Sequence, residues 1–213
     1  MNGCPDRTAR TGDTDARRLR YLIDHYPLAM LMAERSAPMM AYAPMATVRE
    51  TPLHDTDKPV GGLRRLYGHL DRGDPMLPAL DGGAVKAAFL GPNGYVPAQD
   101  VATRQSPGWH FSCAEVSGAT ALVDDMAGKK ALMIDFLRRM EGTDRIGIDP
   151  DGPEFNALLR RLCFFTLDIH AVSGRFSLAQ DLPLADRRKA ADGLRARIGA
   201  TLDETLDVLA GLR

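Results

Sequence analysis

The sequence predicts an α+β fold made mainly of antiparallel strands, a β-barrel with helices at its ends and in one insertion. The first observation is that about six or seven segments alternate apolar and polar residues, as strands with one buried face do. The second is that turns rich in glycine and proline separate these segments. The third is that apolar residues at helical spacing occur near both ends and in one internal stretch.

The composition excludes several classes of protein. The chain has 213 residues, 45% hydrophobic and 26% charged, which is ordinary for a soluble globular protein. A net charge of -1 gives no basic excess, so nucleic acid is not an expected partner. No apolar run approaches the roughly 20 residues that cross a bilayer, and no apolar signal core is present, so we expect a cytoplasmic protein without membrane contact. The three cysteines lack paired spacing, which predicts reduced thiols and no zinc site.

The chain is predicted to form one domain behind a flexible tail. Residues 1–14 are polar, as mobile termini are, and residues 15–213 carry the elements of a single domain. Thr14 or Asp15 is a suitable cap for a first short helix, because its side-chain oxygen can accept a hydrogen bond from the first turn.

Three strands and a long polar loop follow this helix. Residues 27–33 and 38–48 are predicted strands, and residues 63–70 are a third. Residues 49–62 are polar, contain proline and glycine, and are long for a hairpin loop. We therefore expect a lid or a ligand-facing loop there, with a second such loop at 97–108.

The second half of the chain mixes strands and helices. Residues 84–91 are a predicted strand that turns at Gly-Pro-Asn-Gly and returns as a hairpin. Residues 109–123 are a predicted strand pair with Gly118 as its bend or bulge. The remaining predicted elements are helices at 127–141 and 153–162, a strand or strand pair at 164–178, and a terminal helix with an apolar stripe at Leu194, Ile198, Leu202, Leu206 and Leu209.

Local catalytic motifs do not identify the chemistry. The sequence has no Gly-rich phosphate loop after a strand, no nucleophile elbow and no His-Glu-x-x-His helix. His69 ends the third predicted strand and His110 begins a later one, and the common role of such residues is structural. Function must therefore come from residues that the barrel brings together.

Four ordered segments carry a resemblance to a known family. They are LYGHLDRGDP (66–75), AFLGPNGYVPA (88–98), SPGWHFSCAEVSGATALVDD (106–125) and FFTLDIHAVSGRFSLAQDLPLADRRKAADGL (164–194). Their order resembles the PaiB-type branch of the FMN-binding split-barrel proteins, which are pyridoxamine-phosphate-oxidase-like. This resemblance implies a split β-barrel with peripheral helices and a long C-terminal helix. It also implies a homodimer with its ligand held where the two barrels meet.

Members of this branch differ in function. Some are described as FMN-binding proteins or as transcriptional regulators, whereas the piperazate synthases resemble them in sequence, bind heme and make an N–N bond in an N-hydroxylated ornithine. This chain departs from the usual pattern at residues 42–45 (Tyr-Ala-Pro-Met), where a histidine is lost, and at His110 and Glu115. The departures imply a substrate different from that of the commoner members.

The residues favour heme b over FMN as the cofactor. A buried FMN phosphate needs cationic partners, and the strand MMAYAPMA (39–46) carries none. Heme needs an axial ligand, an apolar slot and a cation for its propionates. The resemblance makes His69 the iron ligand, because the same position recurs in the heme-binding relatives. Arg64, Arg65 and Arg72 are the candidates for the propionates, with Arg65 and Arg72 preferred.

Four other residues complete the predicted site. Met45 and Trp109 are expected to line the cofactor slot, although a methionine there can equally belong to the core. Tyr67 and His110 are candidate proton donors in catalysis, with packing at the barrel rim and a hydrogen-bonded core edge as their structural alternatives. We therefore expect a heme-dependent enzyme that acts on a small N-hydroxylated amine or amino acid and forms an N–N bond. The alternative is an FMN-binding oxidoreductase or a PaiB-like transcriptional regulator.

Overall fold

The computed structural model describes residues 13–34, 38–48, 63–100 and 107–209. The predicted loop at 49–62, almost all of the predicted tail at 1–14 and part of the loop at 97–108 lie outside the described residues. Among the described helices, none is both long and apolar enough to cross a membrane.

Six strands and five helices follow one another along the described chain. In order they are α1 (Asp13–His25), β1 (Leu28–Glu34), β2 (Pro38–Thr47), β3 (Arg65–Asp71), α2 (Leu77–Leu80), β4 (Ala84–Val96), a 3-10 turn (Ala98–Asp100), β5 (Gly108–Val123), α3 (Met126–Glu141), α4 (Pro153–Arg161), β6 (Leu162–Ser177) and α5 (Leu184–Leu209).

The strands close into an antiparallel barrel in the order β1-β2-β3-β6-β5-β4. The predicted fold class, a mainly antiparallel α+β barrel with peripheral helices and a long C-terminal helix, is therefore confirmed. Each of β1, β2 and β3 alternates between a face that points into the barrel and a face that points out, as the period of two requires.

The described chain divides into two compact units. The first, the barrel unit, lies within residues 13–89 and 114–173 and contains α1 to α4, β1 to β3 and parts of β4, β5 and β6. The second, the helix unit, lies within residues 90–113 and 174–209 and contains the other parts of those strands and α5. The prediction of a single domain over residues 15–213 stays a prediction.

Side chains from β2 and β6, the two strands that pair with β3, fill the interior of the barrel unit next to β3. Leu66 and Leu70 are buried on the inner face of this strand, and Gly68 lies between them. A Cβ atom on Gly68 would lie 2.9 Å from both Met45 Cγ and Phe165 Cζ, so these two side chains occupy the space that a larger residue would need. The inner face of the barrel is thus apolar and closely packed.

The hairpin predicted in β4 and the strand pair predicted over β5 are wrong, because each of these elements is a single long strand. The bend or bulge predicted at Gly118 stays a prediction. β4 runs through Gly-Pro-Asn-Gly without a hairpin, and β5 runs through Gly118. Pro92 is compatible with this path because the pairing of β4 with β1 ends at Phe89, so no hydrogen bond to β1 is lost. Turn residues alone therefore misplaced the strand ends.

Helix α3, which covers part of the functional site, has well-defined ends. Asp125 Oδ1 accepts a hydrogen bond of 2.6 Å from the Gly128 amide at the N-terminus. Gly142 ends the helix with φ of 63°, a conformation that favours glycine. The observed helix, Met126–Glu141, agrees with the helix that apolar periodicity predicts at 127–141.

The helix unit has a small apolar core of its own. Val96, Ala179, Ala190 and Leu194 are buried together. Of the predicted stripe on α5, Leu194 is buried, whereas Ile198, Leu202 and Leu209 are exposed. The side chain of Leu206 lies outside the description.

Gly118 provides a test of the packing between β5 and β6. A Cβ atom at this position would overlap the carbonyl oxygen of Asp168, which belongs to the backbone and cannot rotate away. We expect Gly118→Ala to lower the free energy of unfolding by about 1–3 kcal/mol, as overpacking does. Chemical denaturation measures this loss. Gly73→Ala is the matched control, because no described atom lies within 4 Å of the point that its Cβ would occupy. Equal free energies of unfolding for the two variants would contradict the described packing.

Candidate functional site

His69 lies on the outer face of β3, between two aromatic side chains of the barrel unit. Its ring meets Phe136 of α3 edge to face, with centroids 5.2 Å apart and an interplanar angle of 87°. On the other side it meets Phe164 of β6 at 5.3 Å and 39°. Both phenylalanines belong to the apolar cluster formed by α3, α4 and the start of β6. The imidazole is therefore held in an apolar setting.

The electrostatics of His69 keep its ring neutral at neutral pH. Burial lowers the pKa of His69 from its ordinary value of 6.5 to about 4, and the nearby Asp71 carboxylate opposes this shift only in part. The Nδ1 atom is buried without a hydrogen-bond partner among the described residues. Buried polar atoms are nearly always bonded, so an unsatisfied one calls for an explanation.

Tyr67 lies two residues before His69 on the same outer face, as the sequence predicts. Its side chain is only 1% exposed, and its hydroxyl donates a 2.6 Å hydrogen bond to Asp135 Oδ2 on α3. Arg139 Nε donates to the same oxygen at 2.8 Å. Helix α3 therefore covers this part of β3, and Tyr67 does not lie at an open rim.

The two predicted arginines lie at opposite ends of β3. Arg65 pairs with the Asp168 carboxylate on β6, and both side chains are about half exposed. Arg72 is exposed and donates a 2.9 Å hydrogen bond from Nε to the carbonyl oxygen of Arg160 at the end of α4. The two cations therefore flank the strand segment that carries His69.

Met45 lies on a different face from His69. It is fully buried inside the barrel, where β2 pairs it with Gly68, whereas His69 points outward. The structure thus gives Met45 a place in the core, which is the structural alternative recognised from the sequence.

Trp109 and His110 belong to the helix unit. The strand alternation places them on opposite faces of β5: Trp109 is 60% exposed and His110 is buried. Their predicted roles, in the cofactor slot and in proton transfer, stay predictions.

The sequence did not single out the residues of α3 that meet β3. Asp135, Phe136 and Arg139 contact Tyr67, His69 and Thr47 across long chain separations. Their only sequence signal is the helical periodicity of residues 127–141, which predicts a buried face and not its partner.

The chain belongs to a family whose model covers most of its length. The family described as "Putative FMN-binding domain" matches residues 8–171, most of the chain. This match confirms the resemblance to FMN-binding split-barrel proteins. No curated protein matches the sequence.

Solved structures share the fold at low sequence identity. The flavocytochrome Anf3 from Azotobacter vinelandii is 18% identical, with 80% of this chain and 73% of that chain covered and a TM-score of 0.54. The FAD and heme binding protein from Mycobacterium smegmatis is 20% identical, with 86% and 78% covered and a TM-score of 0.52. At such identities the likeness shows the split-barrel fold, and the functional site must be interpreted from this chain's own residues.

The lowered pKa of His69 predicts a pH dependence of stability. The folded value of about 4 lies below the 6.5 of the unfolded chain, so the unfolded state binds more protons between these values. The contribution to stability is complete above pH 6.5 and is lost as the pH falls towards 4. We expect wild type to lose more free energy of unfolding than His69→Gln over this interval, measured by urea denaturation. His170→Gln, at an exposed position on β6, is the control and should behave as wild type; parallel curves for wild type and His69→Gln would contradict the assignment.

Proposed function

We propose that the protein binds heme b through His69 and acts on a small N-hydroxylated amine or amino acid, forming an N–N bond. The observation that carries the proposal is the buried Nδ1 of His69, which has no hydrogen-bond partner in the described part of the chain. Burial also lowers the pKa of this ring, which favours the neutral imidazole. Neutral imidazole is the form that ligates a metal. A structural histidine in this position would be expected to use both ring nitrogens in hydrogen bonds.

The residues around His69 fit the chemical needs of heme. Phe136 and Phe164 supply apolar aromatic surface beside the ring. Arg65 or Arg72, one at each end of β3, would meet the propionates. To bind a propionate, Arg65 would have to release the carboxylate of Asp168. Which of the two arginines binds the propionates would therefore be decided only when heme is bound.

In the proposed reaction the N–O bond of a hydroxylamine breaks, its oxygen leaves as water, and an amine of the same substrate attacks the nitrogen. The atoms balance without an external oxidant or reductant. Heme, when bound, supplies an iron centre that can act as a Lewis acid or redox partner towards the hydroxylamine oxygen. The protein excludes water with its aromatic side chains and provides a proton from Tyr67. Tyr67 is buried and bonded to Asp135, so its proton is held at a defined place.

The second candidate is an FMN-binding oxidoreductase or a PaiB-like transcriptional regulator. The match to an FMN-binding family favours it directly. Against it stands the lack of any cation in β2, where partners for a flavin phosphate are expected. The two cofactors differ in colour, so one measurement separates them.

We also propose that the protein acts as a homodimer. Register pairs on the outer face of β1 and β2 join Leu28 to Pro44, Met30 to Tyr42 and Met32 to Met40. Leu28, Met40 and Tyr42 are each at least 60% exposed. Such a continuous apolar face marks an interaction surface, and a second copy of the chain would cover it with an identical face.

The absorption spectrum tests the cofactor. We expect the purified or heme-reconstituted protein to show a Soret band, and His69→Ala to lose it because the axial ligand is gone. His170→Ala, which changes an exposed histidine of β6, should keep the band. The absence of a Soret band in wild type after reconstitution would refute heme binding, and a flavin spectrum released by heating would establish the second candidate.

Sedimentation tests the dimer. We expect Tyr42→Glu to shift the protein towards the monomer, because it places a charge on the apolar face. Tyr21→Glu is the control, since Tyr21 on α1 is 63% exposed and Tyr42 64%. A monomeric wild type, or a Tyr42→Glu variant as dimeric as wild type, would argue against this face.

A further inference from the structure

A chain of polar side chains connects α1, β2, β3 and α3 beside His69. Tyr67 and Arg139 both donate to Asp135 Oδ2, at 2.6 and 2.8 Å. Arg139 Nη1 donates to Thr47 Oγ1 at 3.0 Å, and the Thr47 hydroxyl donates to Asp24 Oδ1 at 3.1 Å. A single oxygen of Asp135, Oδ2, therefore accepts one hydrogen bond from β3 and one from the helix to which Asp135 itself belongs.

These polar side chains are largely shielded from water. Tyr67 and Thr47 are buried, and the side chain of Arg139 is only 13% exposed. Hydrogen bonds to an ionised carboxylate are among the stronger ones, and shielding makes their loss more costly. Helix α3 therefore cannot slide across β3 without leaving buried polar groups without partners.

The hydrogen bond between Tyr67 and Asp135 fixes a neighbouring contact between β3 and α3, the one between His69 and Phe136. Asp135 precedes Phe136 on α3, and Tyr67 precedes His69 by two residues on the outer face of β3. The edge of Phe136 meets the His69 ring, while no described residue holds Nδ1 of that ring with a hydrogen bond. A ligating histidine is ordinarily oriented by a hydrogen bond from its other nitrogen, so here the packing must do this.

We infer that Asp135 is a positioning residue for His69: by binding Tyr67 and Arg139 it holds Phe136 against the imidazole and so sets the orientation of the ring. The effect on ligand binding rests on the proposed function, whereas the effect on the ring does not. Asp135 itself is not required to touch a cofactor or substrate.

The ring orientation is tested first, on the full chain without added cofactor. In a ¹H–¹³C aromatic NMR spectrum, with the His69 signal assigned by its loss in His69→Gln, we expect one signal displaced by the ring currents of the two phenylalanines. Asp135→Asn and Tyr67→Phe should move this signal towards the position of an exposed histidine or broaden it. Asp151→Asn is the control, because it removes a carboxylate that pairs with Lys130 on the same helix. It should leave the signal in place.

An unchanged His69 signal in both folded variants would overturn the inference. Circular dichroism checks that they are folded, and Tyr67→Phe, which removes a single oxygen atom, decides alone if Asp135→Asn does not fold. A purely structural role for Asp135 would lower the melting temperature without moving the signal, and this result would also overturn the inference.

Heme titration then tests the consequence for ligand binding. We expect Asp135→Asn and Tyr67→Phe to weaken heme affinity by about 10- to 100-fold, the range for residues that orient a ligand, and Asp151→Asn to leave it unchanged. Equal affinities for all variants would refute the link to binding. If wild type binds no heme, the proposed function fails, and the NMR result still decides the role of Asp135.

Discussion

The pairing of β3 with β6 is the constraint on which the site depends. Its register joins Arg65 to Asp168, Gly68 to Phe165 and His69 to Phe164. Because strand side chains alternate, a slip of β3 by one residue against β6 would turn His69 into the barrel and Gly68 out of it. The space around Gly68, already filled by Phe165, favours this register over its neighbours.

The apolar setting of His69 has two consequences that act together. Burial removes water from the ring and lowers its pKa, so the imidazole stays neutral. The same burial leaves Nδ1 without a hydrogen bond to any described residue, which is a local loss of stability. The polar connection between Tyr67 and Asp135 and the apolar cluster around Phe136 offset this loss, because they hold α3 over the strand.

The fold identifies the family of the protein, whereas the cofactor depends on particular residues of the site. The family match and the solved structures place the chain among split-barrel proteins, and the two related structures include proteins named for flavin and for heme. A shared barrel therefore does not choose between the cofactors. The choice depends on particular groups: the neutral imidazole of His69, the lack of a cation in β2 and the positions of Arg65 and Arg72 at the ends of β3.

The sequence by itself determined the elements with strong local signals. Alternation predicted β1, β2 and β3 and placed Tyr67 and His69 on one face, and periodicity predicted α3. It misplaced the turn in β4, because turn residues do not reveal where a pairing ends. Only the tertiary structure put Met45 inside the barrel and laid α3 over β3, joining Asp135 to a residue 68 positions away. An apolar helix face in a sequence predicts that this face is buried. It does not predict which strand the helix packs against, because that depends on how the barrel closes, and no local pattern encodes barrel closure.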